Sequence, residues 1–142
     1  MDEALLVLRA WLGLVFVVHA VPKLVPPNRP PTWVAPVLGK DYASGMAAGR
    51  RGGAEAFARL GVPWPGLTAA TAGATQLIGA VLVATGWGAR AGATLLVLNM
   101  IGAVLAKRHN GLVGAAGYEY PLTLLVCALP ILVAGPGSYT TP

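Results

Sequence analysis

The 142-residue chain has one cysteine, two histidines, two phenylalanines and five acidic residues. With Cys127 alone it has no intramolecular disulfide, no Cys-x-x-Cys redox pair and no thiolate-rich zinc or iron–sulfur site. Any redox role therefore needs a borrowed cofactor or a partner protein. Charged residues amount to 11% against 56% hydrophobic, where soluble domains carry about 25% charged residues. That scarcity excludes an ordinary water-soluble fold, because a domain of this size cannot hide so much apolar surface in a single core. The same apolar content excludes disorder. A net charge of +5 invites a nucleic-acid reading, but the ten Lys and Arg lie mostly between apolar blocks and form no dense basic run, so nucleic acid is not an expected partner. The remaining class is an integral membrane protein, with the lipid bilayer as its first partner.

A helix needs about 20 apolar residues to cross a hydrocarbon core of about 30 Å, and four blocks come close to that length. They cover residues 4–22, 66–86, 88–106 and 119–135. Arg9 interrupts the first near its start, Arg90 lies close to the first turn of the third, and the second has no charge. Gly135-Pro136-Gly137 ends the fourth, because no helix continues through that sequence. The uncharged tail runs on to Pro142. The long connection 23–65 follows Pro22 and contains Pro26, Pro27, Pro30 and Pro31, so its first part is expected to be extended or turning. Within it, residues 53–60 have the spacing of a short helix stopped by Gly61. Trp33, Phe57 and Trp64 would hold that helix at headgroup depth. The other connections are short and force neighbouring spans to run antiparallel. The expected fold is all-α, an antiparallel four-helix membrane bundle forming a single domain, with a long loop and a short interfacial helix between helices 1 and 2.

Cations set the orientation. Lys23, Arg29, Lys40, Arg50, Arg51 and Arg59 fall in loop 23–65, and Lys107 and Arg108 open loop 107–118, whereas the other side has Arg9 and Arg90 with acidic Asp2 and Glu3. This predicts a multi-pass protein of the inner cell membrane with both loops cytoplasmic and both termini outside. An acidic start also argues against a cleaved signal peptide.

Helices in lipid associate through small residues and a few polar contacts. Ala69, Gly73, Gln76 and Ala80 form one such stripe, and Gly88, Gly92, Asn99, Ala103 and Ala106 another. These stripes are the expected seam. Polar groups inside a bilayer are functional candidates by default. Arg9 either snorkels to the interface or faces inward, where it would hold an acidic or quinone-like oxygen. Gln76 and Asn99 either bond to each other across the helices or line a ligand cavity. His19, Lys23, His109 and Glu119 belong to the same membrane side. Glu119 and His19 are the candidates for proton handling, and a structural network pairing Glu119 with Lys23 or an imidazolium is the competing reading. Three potential ligands without fixed short spacing do not make an expected metal site. Thr123 and Cys127 continue the face of Glu119, where Thr bonding to its own helix and Cys acting as a small hydrophobe are the simpler readings.

Arg9, His19 and Lys23 in the first block are followed by Phe57-Ala58-Arg59-Leu60-Gly61-Val62-Pro63, Gln76-Leu77-Ile78-Gly79-Ala80 and Thr85-Gly86-Trp87-Gly88-Ala89-Arg90. Gly117-Tyr118-Glu119-Tyr120-Pro121 and Gly135-Pro136-Gly137-Ser138-Tyr139 come next. In this order and spacing the chain resembles the DoxX family over nearly its whole length, except the insert 26–53. The resemblance implies a small four-helix prokaryotic membrane protein related to subunits of a terminal quinol oxidase and of thiosulfate:quinone oxidoreductase. The family usually has Glu where this chain has Gln76, so a proton-coupled role for that carboxylate does not carry over. The expected function is a redox-associated membrane subunit, quinone-linked or coupling a partner oxidoreductase to the membrane, with no intrinsic cofactor. Arg9, His19, Lys23, Gln76, Arg90, Asn99 and Glu119 are the candidate contacts to a quinone or other ligand. A non-catalytic scaffold recruiting a cytoplasmic enzyme, and a small carrier or channel for an apolar or weakly acidic solute, are the alternatives. A homo-oligomer is compatible with each.

Overall fold

The computed structural model describes residues 2–114 and 116–139; the last three residues of the expected tail lie outside them. Every regular element among the described residues is helical: α1 (Asp2–Leu24), α2 (Val34–Leu38), α3 (Lys40–Arg59), α4 (Pro65–Thr85), α5 (Ala89–Lys107) and α6 (Glu119–Ala134), with a 3-10 turn at Arg108–Asn110. Helices α1, α4 and the α5 region are long and apolar enough to cross a membrane, and α6, at 16 residues, is a shorter apolar helix. All four coincide with the apolar blocks of the sequence. One boundary moves: α1 passes through Pro22 and ends at Leu24.

Outward-facing apolar residues recur at helical spacing: Val7, Trp11 and Leu14 on α1, Leu98, Ile101 and Leu105 on α5, and Leu122, Val126, Leu129 and Val133 on α6 are all exposed. In water such stripes would be a liability, but in lipid they are the expected surface. On α4 the stripe Ala69, Gly73, Gln76 and Ala80 is buried throughout, as its small residues require. The α5 stripe is less regular, with Gly92 buried, Asn99, Ala103 and Ala106 half-buried and Gly88 exposed.

The chain forms two compact units, residues 1–17 with 75–142, and residues 18–74. In the first, Leu12 and Phe16 of α1, Ala80 and Val83 of α4, Leu96 and Met100 of α5, and Leu124, Ala128 and Ile131 of α6 form one buried apolar cluster. Glycine lets the backbones approach. A Cβ on Gly79 would lie 3.0 Å from the carbonyl oxygen of Gly92, and a Cβ on Gly92 would lie 2.8 Å from the carbonyl of Gly79. Helices α4 and α5 therefore cross with backbone against backbone, the close contact that substitutes for a hydrophobic driving force in lipid.

The second unit corrects one expectation. The loop helix expected at 53–60 begins at Lys40, runs to Arg59 and is preceded by the short α2. Gly45, Gly49, Gly52 and Gly53 weaken any local helical signal, and tertiary contact overrides that weakness. Gly53 lies close to Ala69 of α4 and Lys23 of α1, and Gly73 of α4 leaves room for Lys23 and Leu24. Gly49 adopts φ 53° and ψ −140°, kinking α3. The kink directs the Arg50 amide to the Val25 carbonyl at 2.9 Å. Tyr42 donates its hydroxyl to the Val18 carbonyl at 2.9 Å. Burial raises its phenol above the ordinary value of 10.0, so the proton that makes this bond is retained.

Candidate functional site

In the first unit, one end collects the starts of α1 and α5 and the ends of α4 and α6. Arg9, two turns into α1, is 1% exposed. It does not snorkel. Its Nη2 donates to the Ala84 carbonyl at 3.4 Å and its Nη1 to the carbonyl of Pro136. Ala84 is in the last turn of α4, where carbonyls have no partner within the helix and the macrodipole is negative. A guanidinium buried there gains the partial negative charge of the helix end and two carbonyl acceptors. The Nε of Arg9 is buried without a partner.

Arg90 repeats the arrangement at the next helix end. It sits in the first turn of α5, where a cation gains nothing from the dipole, but its Nη2 reaches the Val133 carbonyl at the end of α6, 3.4 Å away. Each arginine lies against the glycine that terminates the helix it caps. Gly86 follows α4 with φ 82°, and a Cβ there would lie 3.0 Å from both terminal nitrogens of Arg9. Gly135 follows α6 with φ 87°, and a Cβ there would lie 3.4 Å from the Nε of Arg90. The Asp2 carboxylate accepts from the Ser138 hydroxyl at 2.6 Å and ties the tail to the start of α1. Above this framework is an open hollow of about 400 Å³ lined by Gly86, Gly88, Ala89, Arg90, Ala91 and Pro136.

A second polar group joins α4 and α5 further along. Asn99 donates Nδ2 to Thr75 Oγ1 at 2.7 Å and to the Leu95 carbonyl at 3.1 Å. The sequence leaves Asn99 either bonded to Gln76 or lining a cavity; the bond seen here runs to Thr75, one residue before Gln76, and joins the helices. Gln76 is buried at 6% exposure.

Glu119 and His109 lie at the other end of this unit, where α5 ends and α6 begins. Glu119 is exposed in the first turn of α6, where a carboxylate favours the dipole, and its Oε1 accepts from the Gly114 amide at 3.5 Å. The length of α6, about 24 Å, separates it from Gly135 and therefore from Arg90 and Arg9. His109 is exposed, its Nε2 accepting from Arg108 Nε at 3.1 Å. His19 and Lys23 belong to the other unit, where the ammonium of Lys23 donates to the carbonyl of His19. Thr123 bonds back to the Glu119 carbonyl at 2.8 Å, the simpler of its two readings. Among the described residues no three His, Cys, Asp or Glu side chains gather as metal ligands.

A family model for DoxX matches residues 4–109. The chain belongs to the DoxX family. No curated protein and no solved structure matches it. Family membership and three spanning-length helices make it a multi-pass membrane protein in contact with the bilayer. The matched segment includes Arg9, Gln76, Gly86 and Arg90 and stops before α6. The acceptors of the two arginines escaped the sequence reading. Gly135-Pro136-Gly137 read only as a helix stop, although the free carbonyls of such a stop are where a buried guanidinium finds partners.

Proposed function

We propose that this DoxX protein is a redox-associated accessory subunit whose α1, α4, α5 and α6 cross the bilayer as an antiparallel four-helix bundle. It binds a quinone head group beside Arg90 and couples a partner oxidoreductase to the membrane. The alternation of helix starts and ends around Arg9 and Arg90 supports the antiparallel order. The quinone reading rests chiefly on the hollow of about 400 Å³ beside Arg90, within the usual range of about 300–1,000 Å³ for small-molecule pockets.

The residues around the hollow fit a dicarbonyl ring. Arg90 is a donor, glycine and alanine make the rest of the lining small and mostly apolar, and none of the lining residues is a carboxylic acid or imidazole. A bound quinone would supply two-electron chemistry. The residues of this chain would hold and orient it by hydrogen bonds to a carbonyl oxygen, and protons and electrons would come from the partner. Arg9 acts through the framework, holding Ala84 and Pro136 so that the hollow keeps its shape.

The test is a thermal-shift titration of protein in nanodiscs with a short-chain ubiquinone or menaquinone analogue. Stabilisation by the analogue is expected, reduced at least about tenfold in apparent affinity by Arg90→Gln and unchanged by Glu119→Gln. No shift in the wild-type protein, or equal affinity for Arg90→Gln, would overturn the quinone site. The coupling role would then rest on co-purification of an oxidoreductase alone.

A further inference from the structure

We propose that the unit formed by residues 18–74 carries a docking surface for anionic phospholipid, built from the outer face of α3 and from Trp33 and Trp64. Five exposed cations of this unit, Arg29, Lys40, Arg50, Arg51 and Arg59, stand against two exposed carboxylates, Asp41 and Glu55. Arg51 and Arg59 share one stripe of α3 at four-residue steps with Glu55 between them, and Arg50 adjoins it. Their apolar neighbours Ala56 and Phe57 are half-buried. Helix α3 therefore presents its charge outward with its apolar side already in contact.

The second observation is Trp64. It is the one non-glycine residue with positive φ among the described residues, at 46°, a conformation that bulky side chains avoid. Its position is held from both sides: its carbonyl accepts from the Thr68 amide at 2.9 Å, and the Thr68 hydroxyl donates to the Pro63 carbonyl at 2.8 Å. Yet the indole is 78% exposed and gains little from the protein. Trp33 is 58% and Val37 70% exposed in the same unit. Exposed large apolar groups, Trp64 among them held at strain, in a unit with a surplus of cations match the two faces of a headgroup region: acyl and glycerol atoms for the rings, phosphate for the guanidinium groups. An acidic protein would be matched by the cations alone and would leave Trp33, Val37 and Trp64 without a counterpart.

The experiment uses the full chain in phosphatidylcholine vesicles containing either brominated phosphatidylglycerol or brominated phosphatidylcholine at equal mole fraction. Single-tryptophan variants retain Trp33 or Trp64. Quenching of both is expected to be about twofold stronger by the anionic lipid, and to fall to parity in the Arg50→Gln, Arg51→Gln, Arg59→Gln triple variant and in high salt. Native mass spectrometry of the wild-type protein gives an independent reading that does not depend on the variants folding: phosphatidylglycerol is expected to be retained over phosphatidylcholine. Equal quenching by the two lipids, or tryptophans that no lipid quenches, overturns the proposal, as does equal retention of the two lipids. Capture of an acidic soluble protein that requires Arg50 and Arg51, with no lipid preference, also overturns it.

Discussion

The guanidinium of Arg9 fills the space that a side chain on Gly86 would need, with both terminal nitrogens 3.0 Å from an ideal Cβ. The pair explains each other. Gly86 must be glycine for its φ of 82° and for the closeness of the cation. Arg9 is held by carbonyls 75 and 127 residues away in sequence.

Arg9→Met is therefore expected to destabilise the protein by about 1–3 kcal/mol, because the Ala84 and Pro136 carbonyls lose their donor in a half-buried setting. Arg9→Lys keeps the charge but not the planar fork and should fall between the two. Thermal unfolding in detergent micelles measures both. A melting temperature for Arg9→Met within a degree of wild type would show that the guanidinium is dispensable to the framework.

The backbone crossing of α4 and α5 makes a second prediction. Gly92→Ala places a Cβ 2.7 Å from that of Leu82 and 2.8 Å from the Gly79 carbonyl, so the helices must separate. A loss of about 1–3 kcal/mol is expected. Gly102 on the same helix has nothing within 4 Å of its ideal Cβ. Gly102→Ala is the control, expected to be neutral or slightly stabilising through helix propensity.

The Asn99–Thr75 bond can be weighed by a double-mutant cycle of Asn99→Leu and Thr75→Val. Interhelical hydrogen bonds in lipid are worth about 0.6 kcal/mol on average, up to about 1.7. A coupling energy in that range is expected from unfolding in mixed micelles, and zero coupling would mean that the two side chains act independently.

Gly49 combines a positive φ with three backbone atoms of Val25, Pro26 and Pro27 between 2.6 and 2.8 Å from its ideal Cβ. Gly49→Ala has no rotamer with which to escape, so the kink in α3 must open and the Arg50–Val25 bond must break. Limited proteolysis should then cut within residues 40–59 at rates at least several-fold above wild type. Unchanged proteolysis would show that the kink tolerates a side chain.

Hydropathy is a local sum, and whatever depends only on a local sum was legible in the sequence. The solvent class, the four apolar helices, the buried small-residue stripe of α4 and the family all follow from the chain read in order. Helix α3 did not, because its four glycines and polar composition argue against a helix until Lys23, Val25 and Ala69 press against it. Nor did the position of Arg9. One residue near a span's start reads equally well as snorkelling or buried, and the choice depends on whether free carbonyls wait inside. Those carbonyls exist only where α4 and α6 end beside α1, a coincidence of three distant segments. The sequence by itself determined which helices are apolar enough for lipid; tertiary structure alone decided which of their polar groups find partners, because that needs a partner brought close in space.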